Sequence, residues 1–263
     1  MADRSKIEWT ESTWNPITGC TKVSPGCKNC YAERIAKRLQ AMGSPSYNSG
    51  FKVTLHPDVI ALPLKWRKPR IVFVNSMSDL FHEKIPTEYI QKVFRMMDKA
   101  NHHTFQILTK RSDRLRLLAP ILIWPKNVWM GVSVESEDYI SRVHDLAQVP
   151  SVVRFISLEP LLGQISTIPL DKIDWVIVGG ESGPKARTMS PEWVRNIREQ
   201  CKNNSVPFFF KQWGGVHKKK NGRMLDGKIY NEMPSRNSID ENFNSKYSQK
   251  NINENKLSQR ISA

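Results

Sequence analysis

Long apolar runs are missing from this sequence. No stretch approaches the ~20 consecutive apolar residues that a membrane-crossing helix needs, so no membrane partner is expected. The opening residues, through Trp9, also lack the apolar core of a secretory signal, which points to a cytoplasmic protein. Cysteine is scarce, at four in 263 residues. Three of the four stand too close together for independent bridges, which excludes a disulfide framework and fits a reducing compartment. Acidic residues are short as well: 25 Asp and Glu against 40 Lys and Arg leave a net charge of +15. That balance favours a polyanionic partner, nucleic acid or nucleotide, over an acidic surface's cationic ones. A Walker-type phosphate loop, a readable nucleophile–base pair and an internal repeat are all lacking.

What is present is an alternation. Short apolar runs at 71–74, 105–108, 128–134, 152–158, 175–178 and 208–210 are continuous rather than alternating, as in parallel strands buried on both faces. Between them lie helical patterns. Residues 86–101 carry Ile90, Val93, Phe94 and Met97 on one face, and 136–149 repeat the spacing with Ser136 as a candidate N-cap. Ser190 and Pro191 open a third helix to about Asn203, on which Trp193, Ile197 and Cys201 share a face, so Cys201 reads as core. The fold class is therefore α/β over residues 1–234: a parallel (βα) barrel, partial and TIM-like, fits the count better than a doubly wound sheet, although periodicity alone does not separate the two. Residues 235–263 are rich in Asn, Ser and Lys and read as a disordered tail.

Polar residues gather at the carboxyl ends of the apolar runs, where such sheets place their sites. They are Ser76, Ser78, Asp79, Lys110, Ser133, Glu135, Glu159 and Glu181. His82 is a candidate proton donor or substrate contact, while His102 and His103 end a helix where a cation suits the dipole. Packing against a neighbouring helix is the preferred reading of Trp66 and Trp213, with stacking on a base as the alternative; Trp9 and Trp14 read as core.

The chemistry-bearing motif is Cys20-x6-Cys27-x2-Cys30, followed at once by Tyr31 and a helical pattern. Pro25 and Gly26 let the loop turn tightly. Three thiolates hold three corners of an iron–sulfur cluster and leave one iron open, whereas structural zinc wants four protein ligands. The alternative is a non-enzymatic nucleic-acid-binding protein whose three-cysteine loop holds zinc with a histidine or carboxylate as fourth ligand. A third reading keeps the cluster in a structural or redox-sensing role.

Cys27-x2-Cys30-Tyr31 at the first strand of a βα barrel resembles the radical S-adenosylmethionine (radical SAM) enzymes, in particular their spore photoproduct lyase-like branch. The segments 76–79, 107–112 and 157–163 are similar to that branch too. From Ile7 to about Gly215, roughly four fifths of the chain, the sequence also resembles an uncharacterised phage-associated family of three-Cys-motif proteins, named for phage gene products thirty-seven and sixty-eight. Trp14-Asn-Pro16, the three cysteines, Tyr31-Ala32, the segment 178–183 and the segment 210–214 carry that likeness, which implies no reaction. Two features depart from the radical SAM pattern: the common first cysteine interval is three rather than six, and Gly179-Gly-Glu181 follows a much later strand than usual.

The resemblance implies a 4Fe-4S cluster on Cys20, Cys27 and Cys30, with S-adenosylmethionine on the open iron and an external electron donor. It implies chemistry through a 5′-deoxyadenosyl radical, here on a nucleic acid or nucleotide, and a partner protein from a phage operon. Within it, Ser76, Ser78 and Asp79 would meet the methionine amino group, Lys110 its carboxylate or a substrate phosphate, and Ser133, Glu135 and Glu159 ribose hydroxyls. Glu181 would serve the cofactor from its later strand.

Overall fold

The computed structural model describes Ser5 and residues 7–235. Seven strands form one sheet: β1 (Ser12–Trp14), β2 (Ile71–Val74), β3 (Thr104–Thr109), β4 (Val128–Ser133), β5 (Val153–Leu158), β6 (Trp175–Gly179) and β7 (Phe208–Gln212). Every neighbouring pair is parallel, and each strand lies beside the next in chain order. With no reversal of order the sheet is singly wound, so right-handed crossovers all pass over one face. Four helices and a loop follow β1 to β5 in turn: α1 (Tyr31–Ala41), α2 (Thr87–Lys99), α3 (Ser112–Leu118), α4 (Ser141–Leu146), then a segment without an α-helix that buries Leu161, Ile165, Ile168, Leu170 and Ile173. The last crossover is α5 (Pro191–Asn203).

The other face closes on itself. Trp9, ahead of β1, sets its ring 4.8 Å from Phe73 of β2 and 6.3 Å from both Phe155 of β5 and Trp175 of β6. In a flat sheet β2 and β6 would stand about 19 Å apart, four strand spacings. One indole reaches both only because the sheet curls into a half-barrel. Gly131 on β4 serves this interior, since a Cβ there would come within 2.5 Å of the Phe155 ring. The sheet stops at β1 and β7, which do not pair with each other among the described residues, so the barrel is partial.

The helix-side core follows the sequence periodicity. Ile90, Val93, Phe94 and Met97 of α2 are fully buried, as are Val194, Ile197 and Cys201 of α5. Ser190 caps α5, its hydroxyl accepting from Glu192 N at 3.3 Å, with Pro191 in the first turn. Several expectations are corrected. The helix expected over 136–149 is shorter, a 3-10 turn Glu137–Tyr139 and then α4, and the Ser136 hydroxyl donates to Asp138 rather than capping the turn. His103 is buried, its Nδ1 accepts from Arg70 N, and burial lowers its pKa, so it is a neutral buried acceptor rather than a cation at a helix end. Trp66 is occupied by Arg70 and His103, and Trp213 packs on Phe210 with its indole N–H on Met224 O. Trp193 is only partly buried. The expected tail lies outside the described residues except for Ser235, and among those residues no helix is long and apolar enough to cross a membrane.

Candidate cofactor site

Pro16 has no N–H to donate, so the first strand ends at Trp14 and the chain turns away. Ile17–Thr18 then pairs antiparallel with Thr54–Leu55 and delivers Gly19 beside the loop after β2, where Gly19 N donates to Met77 O. Gly19 has φ +82°, and a Cβ there would collide with the Lys52 carbonyl, so only glycine passes. The cysteine loop starts at the next residue. It turns through a 3-10 segment, Pro25–Cys27, and ends at Cys30, immediately before α1.

All three thiols line one cavity of about 530 Å³ at the carboxyl ends of the strands. That is the size of a small-molecule site. Ser76, Ser78, Asp79, Lys110, Ser133, Glu159 and Glu181 line the same cavity, while Glu135 does not. The second-strand group is tied to the scaffold. Asp79 accepts from Phe81 N, Thr109 Oγ1 and Lys110 N at 2.7–3.0 Å, fastening the end of β2 to that of β3. Ser76 donates to Asn15 Oδ1 and Ser78 to Ile17 O. Glu159 receives Lys211 Nζ on both oxygens, at 2.7 and 2.9 Å.

Three strand ends hold the cysteine loop. After β3, Arg111 is 7% exposed and lies 3.7 Å from Cys20 Sγ, while it donates to Thr21 Oγ1 at 2.8 Å and Glu83 at 3.0 Å. After β4, Glu135 is fully buried, pairs with Arg142 at 2.7 Å and accepts from the Ser24 hydroxyl. After β6, Glu181 accepts from Asn29 Nδ2 at 2.9 Å and from Arg187, which also donates to Pro25 O. Burial alone would raise the Glu181 carboxyl, but the Arg187 and Asn29 hydrogen bonds outweigh it and hold the group at about 2. Glu135 and Glu181 thus both grip the loop, a role that their position after a strand did not disclose. His82 is wholly buried and does not line the cavity; its Nε2 meets Thr21 Oγ1 at 2.9 Å and its Nδ1 accepts from Lys84 N. Burial and the Arg111 charge lower its pKa, so it supports the loop as a neutral ring.

Arg111, Arg142, Arg187, Asn29 and Lys211 escaped the sequence reading. The only local signal was a charged residue inside or just past an apolar run, as at Phe210-Lys211-Gln212.

The residues present fit a cluster held by three thiolates. Burial pushes the Cys20 thiol up to about 12, helped by the Asp79 carboxylate and the other two cysteines, while Arg111 opposes it. Such a thiol gives up its proton readily only to a metal that replaces it. Among the described residues no group of three or more His, Cys, Asp or Glu is placed to hold a metal ion. The fit rests on the donor set: three thiols from one loop suit a cubic cluster, which takes each cysteine on a different iron. The buried Arg111 guanidinium and the N-terminus of α1 beside Cys30 supply positive potential for the sulfur charge of such a cluster.

A family profile described as "Protein of unknown function (DUF5131)" matches residues 4–234. No curated protein matches the chain. Among solved structures it is similar to a double mutant of spore photoproduct lyase with bound AdoMet and dinucleoside spore photoproduct, at 13% identity and a TM-score of 0.47. That likeness covers 75% of this chain and 62% of the other, so the chain spans less than two thirds of its relative's length.

Proposed function

The chain belongs to the DUF5131 family of proteins of unknown function, and we propose that it is an iron–sulfur enzyme of the radical SAM type acting on a nucleic acid or nucleotide. One observation carries the reading: three cysteines of a single loop, without a local fourth, line a cavity at the strand ends of a partial (βα) barrel. The net charge of +15 supports the polyanionic substrate. When bound, a 4Fe-4S cluster and S-adenosylmethionine supply one-electron cleavage of a carbon–sulfur bond and hydrogen abstraction from the substrate.

The chain's own residues do the rest. Cys20, Cys27 and Cys30 would hold the cluster through three of its irons. Arg111, Glu135 and Glu181 act through the loop, fixing its three arms from three strand ends. Ser76, Ser78 and Asp79 present oxygens for an amino group, Lys110 a cation for a carboxylate or phosphate, and Ser133 and Glu159 acceptors for hydroxyls. Lys211 bonds both oxygens of Glu159 and aligns the carboxylate. The apolar half-barrel beneath, with Phe73, Phe155 and Trp175, keeps water from the closed end. Such a protein works in a reducing cytoplasm with an external one-electron donor, and the phage-family likeness suggests an operon partner.

Anaerobically loaded protein, reduced in the presence of S-adenosylmethionine, should release 5′-deoxyadenosine, and Cys30→Ala should release none. Loaded wild-type protein that leaves S-adenosylmethionine intact under reduction would contradict the proposal.

A further inference from the structure

Most of the cavity wall is satisfied by its own hydrogen bonds, but part of it is not. Asn75, just past β2, has φ +61° and is 3% exposed, yet among the described residues neither its Oδ1 nor its Nδ2 has a partner. The Nε1 of Trp9, 4% exposed, has none either. Both residues line the cavity. They are neighbours through Phe73, which stands two positions before Asn75 along the strand and packs on Trp9. At the end of β7, Gln212 lines the same cavity, gives its Nε2 to Ser182, and keeps a buried Oε1 unpaired. Folded proteins pair nearly all buried polar atoms, so three such residues around one cavity call for a cause.

Their chemistry narrows it. The free atoms are two donors, Asn75 Nδ2 and Trp9 Nε1, and two acceptors, Asn75 Oδ1 and Gln212 Oε1, with no charge among them. A phosphate or carboxylate only accepts and would leave both oxygens unpaired. An ammonium only donates and would leave both N–H groups unpaired. A neutral heterocycle with donors and acceptors on one edge answers both, and a carboxamide makes paired bonds to such an edge. We propose that Asn75, assisted by Trp9 and Gln212, reads the donor–acceptor edge of a nucleobase of the substrate. This names the substrate class for the function above and rests on that reading in taking the cavity as the active site.

The backbone supplies a clean test. Asn tolerates positive φ and Gly tolerates it better, so Asn75→Gly removes the amide without straining the chain. Full-length, anaerobically loaded protein is titrated with thymidine, deoxycytidine, deoxyguanosine and deoxyadenosine, with S-adenosylmethionine present to fill any adenosyl pocket. At least one nucleoside should bind and raise Tm. Asn75→Gly should melt at the same or a higher temperature without nucleoside, because an unpaired buried amide is gone, but should bind about tenfold or more weakly. Asn75→Asp, which accepts and does not donate, should weaken binding as well.

The proposal falls if no nucleoside binds, or if Asn75→Gly binds like wild type. It also falls if the variant weakens only S-adenosylmethionine, which would give the edge to the cofactor's own base. Nucleoside binding needs no iron, so the two readings fail separately. Asn75-dependent binding by a protein that takes up no cluster would sink the enzyme reading and spare the subsite. A loaded protein that cleaves S-adenosylmethionine but ignores nucleosides would do the reverse.

Discussion

Gly26 and Arg187 show how single residues set the cysteine loop. A Cβ at Gly26 would collide with the Glu135 side chain, which is pinned by Arg142 and cannot yield without breaking a buried ion pair. Gly26→Ala should cost about 1–3 kcal/mol of stability, the usual penalty of overpacking, and should lower iron retention. Thermal unfolding and iron analysis check both. Arg187 acts through charge. The Glu181 carboxyl is held at about 2, below its unfolded value near 4.3, so the clasp stabilises the fold fully above that value and is lost as pH falls towards 2. The Tm gap between wild type and Arg187→Gln should therefore be widest near neutrality and close on acidification; a gap that widens in acid would contradict the assignment. At this scale the sequence is legible where residue type alone carries the chemistry, as it does for three clustered cysteines. It is silent where a partner is chosen by strand order. Arg111 meets Cys20 across 91 residues and Ser24 meets Glu135 across 111, and no local pattern announces either pair.

Among the elements, β4 and β5 show why the half-barrel depends on packing and not only on pairing. Gly131 leaves room for Phe155, whose ring sits 5.6 Å from that of Trp175 in the closed interior. Gly131→Ala should destabilise the protein by about 1–3 kcal/mol through this contact. Thermal unfolding of Gly131→Ala measures the cost, and a neutral substitution would show that the interior can give way. Six of the seven strands were legible as continuous apolar runs, because parallel strands buried on both faces leave little choice of residue. β1 leaves no apolar run to read, because it is three residues long and Pro16 diverts the chain into a separate ribbon. α2 and α5 were plain from apolar spacing and, in α5, from Ser190 and Pro191; α4 is too short for its period to fix its ends.

Over the whole molecule, the alternation and the number of runs predicted a partial parallel barrel, and the curled sheet agrees, but no local pattern discloses what sets its curvature. It comes from Trp9 bringing β2, β5 and β6 together, a contact among residues far apart in the chain. The net charge of +15 acts at this scale too. If it serves a polyanion, binding of a single-stranded oligonucleotide should weaken steeply between about 50 and 200 mM salt. Affinity flat across that range would place recognition in the cavity alone. Metal and sulfide analysis of the anaerobically reconstituted chain beside Cys27→Ala reads out whether the three-cysteine loop carries a cluster. The wild type should be brown, with about four irons and matching sulfide, and the variant folded and colourless. One zinc per chain, no sulfide and no colour in the wild type would contradict the cluster.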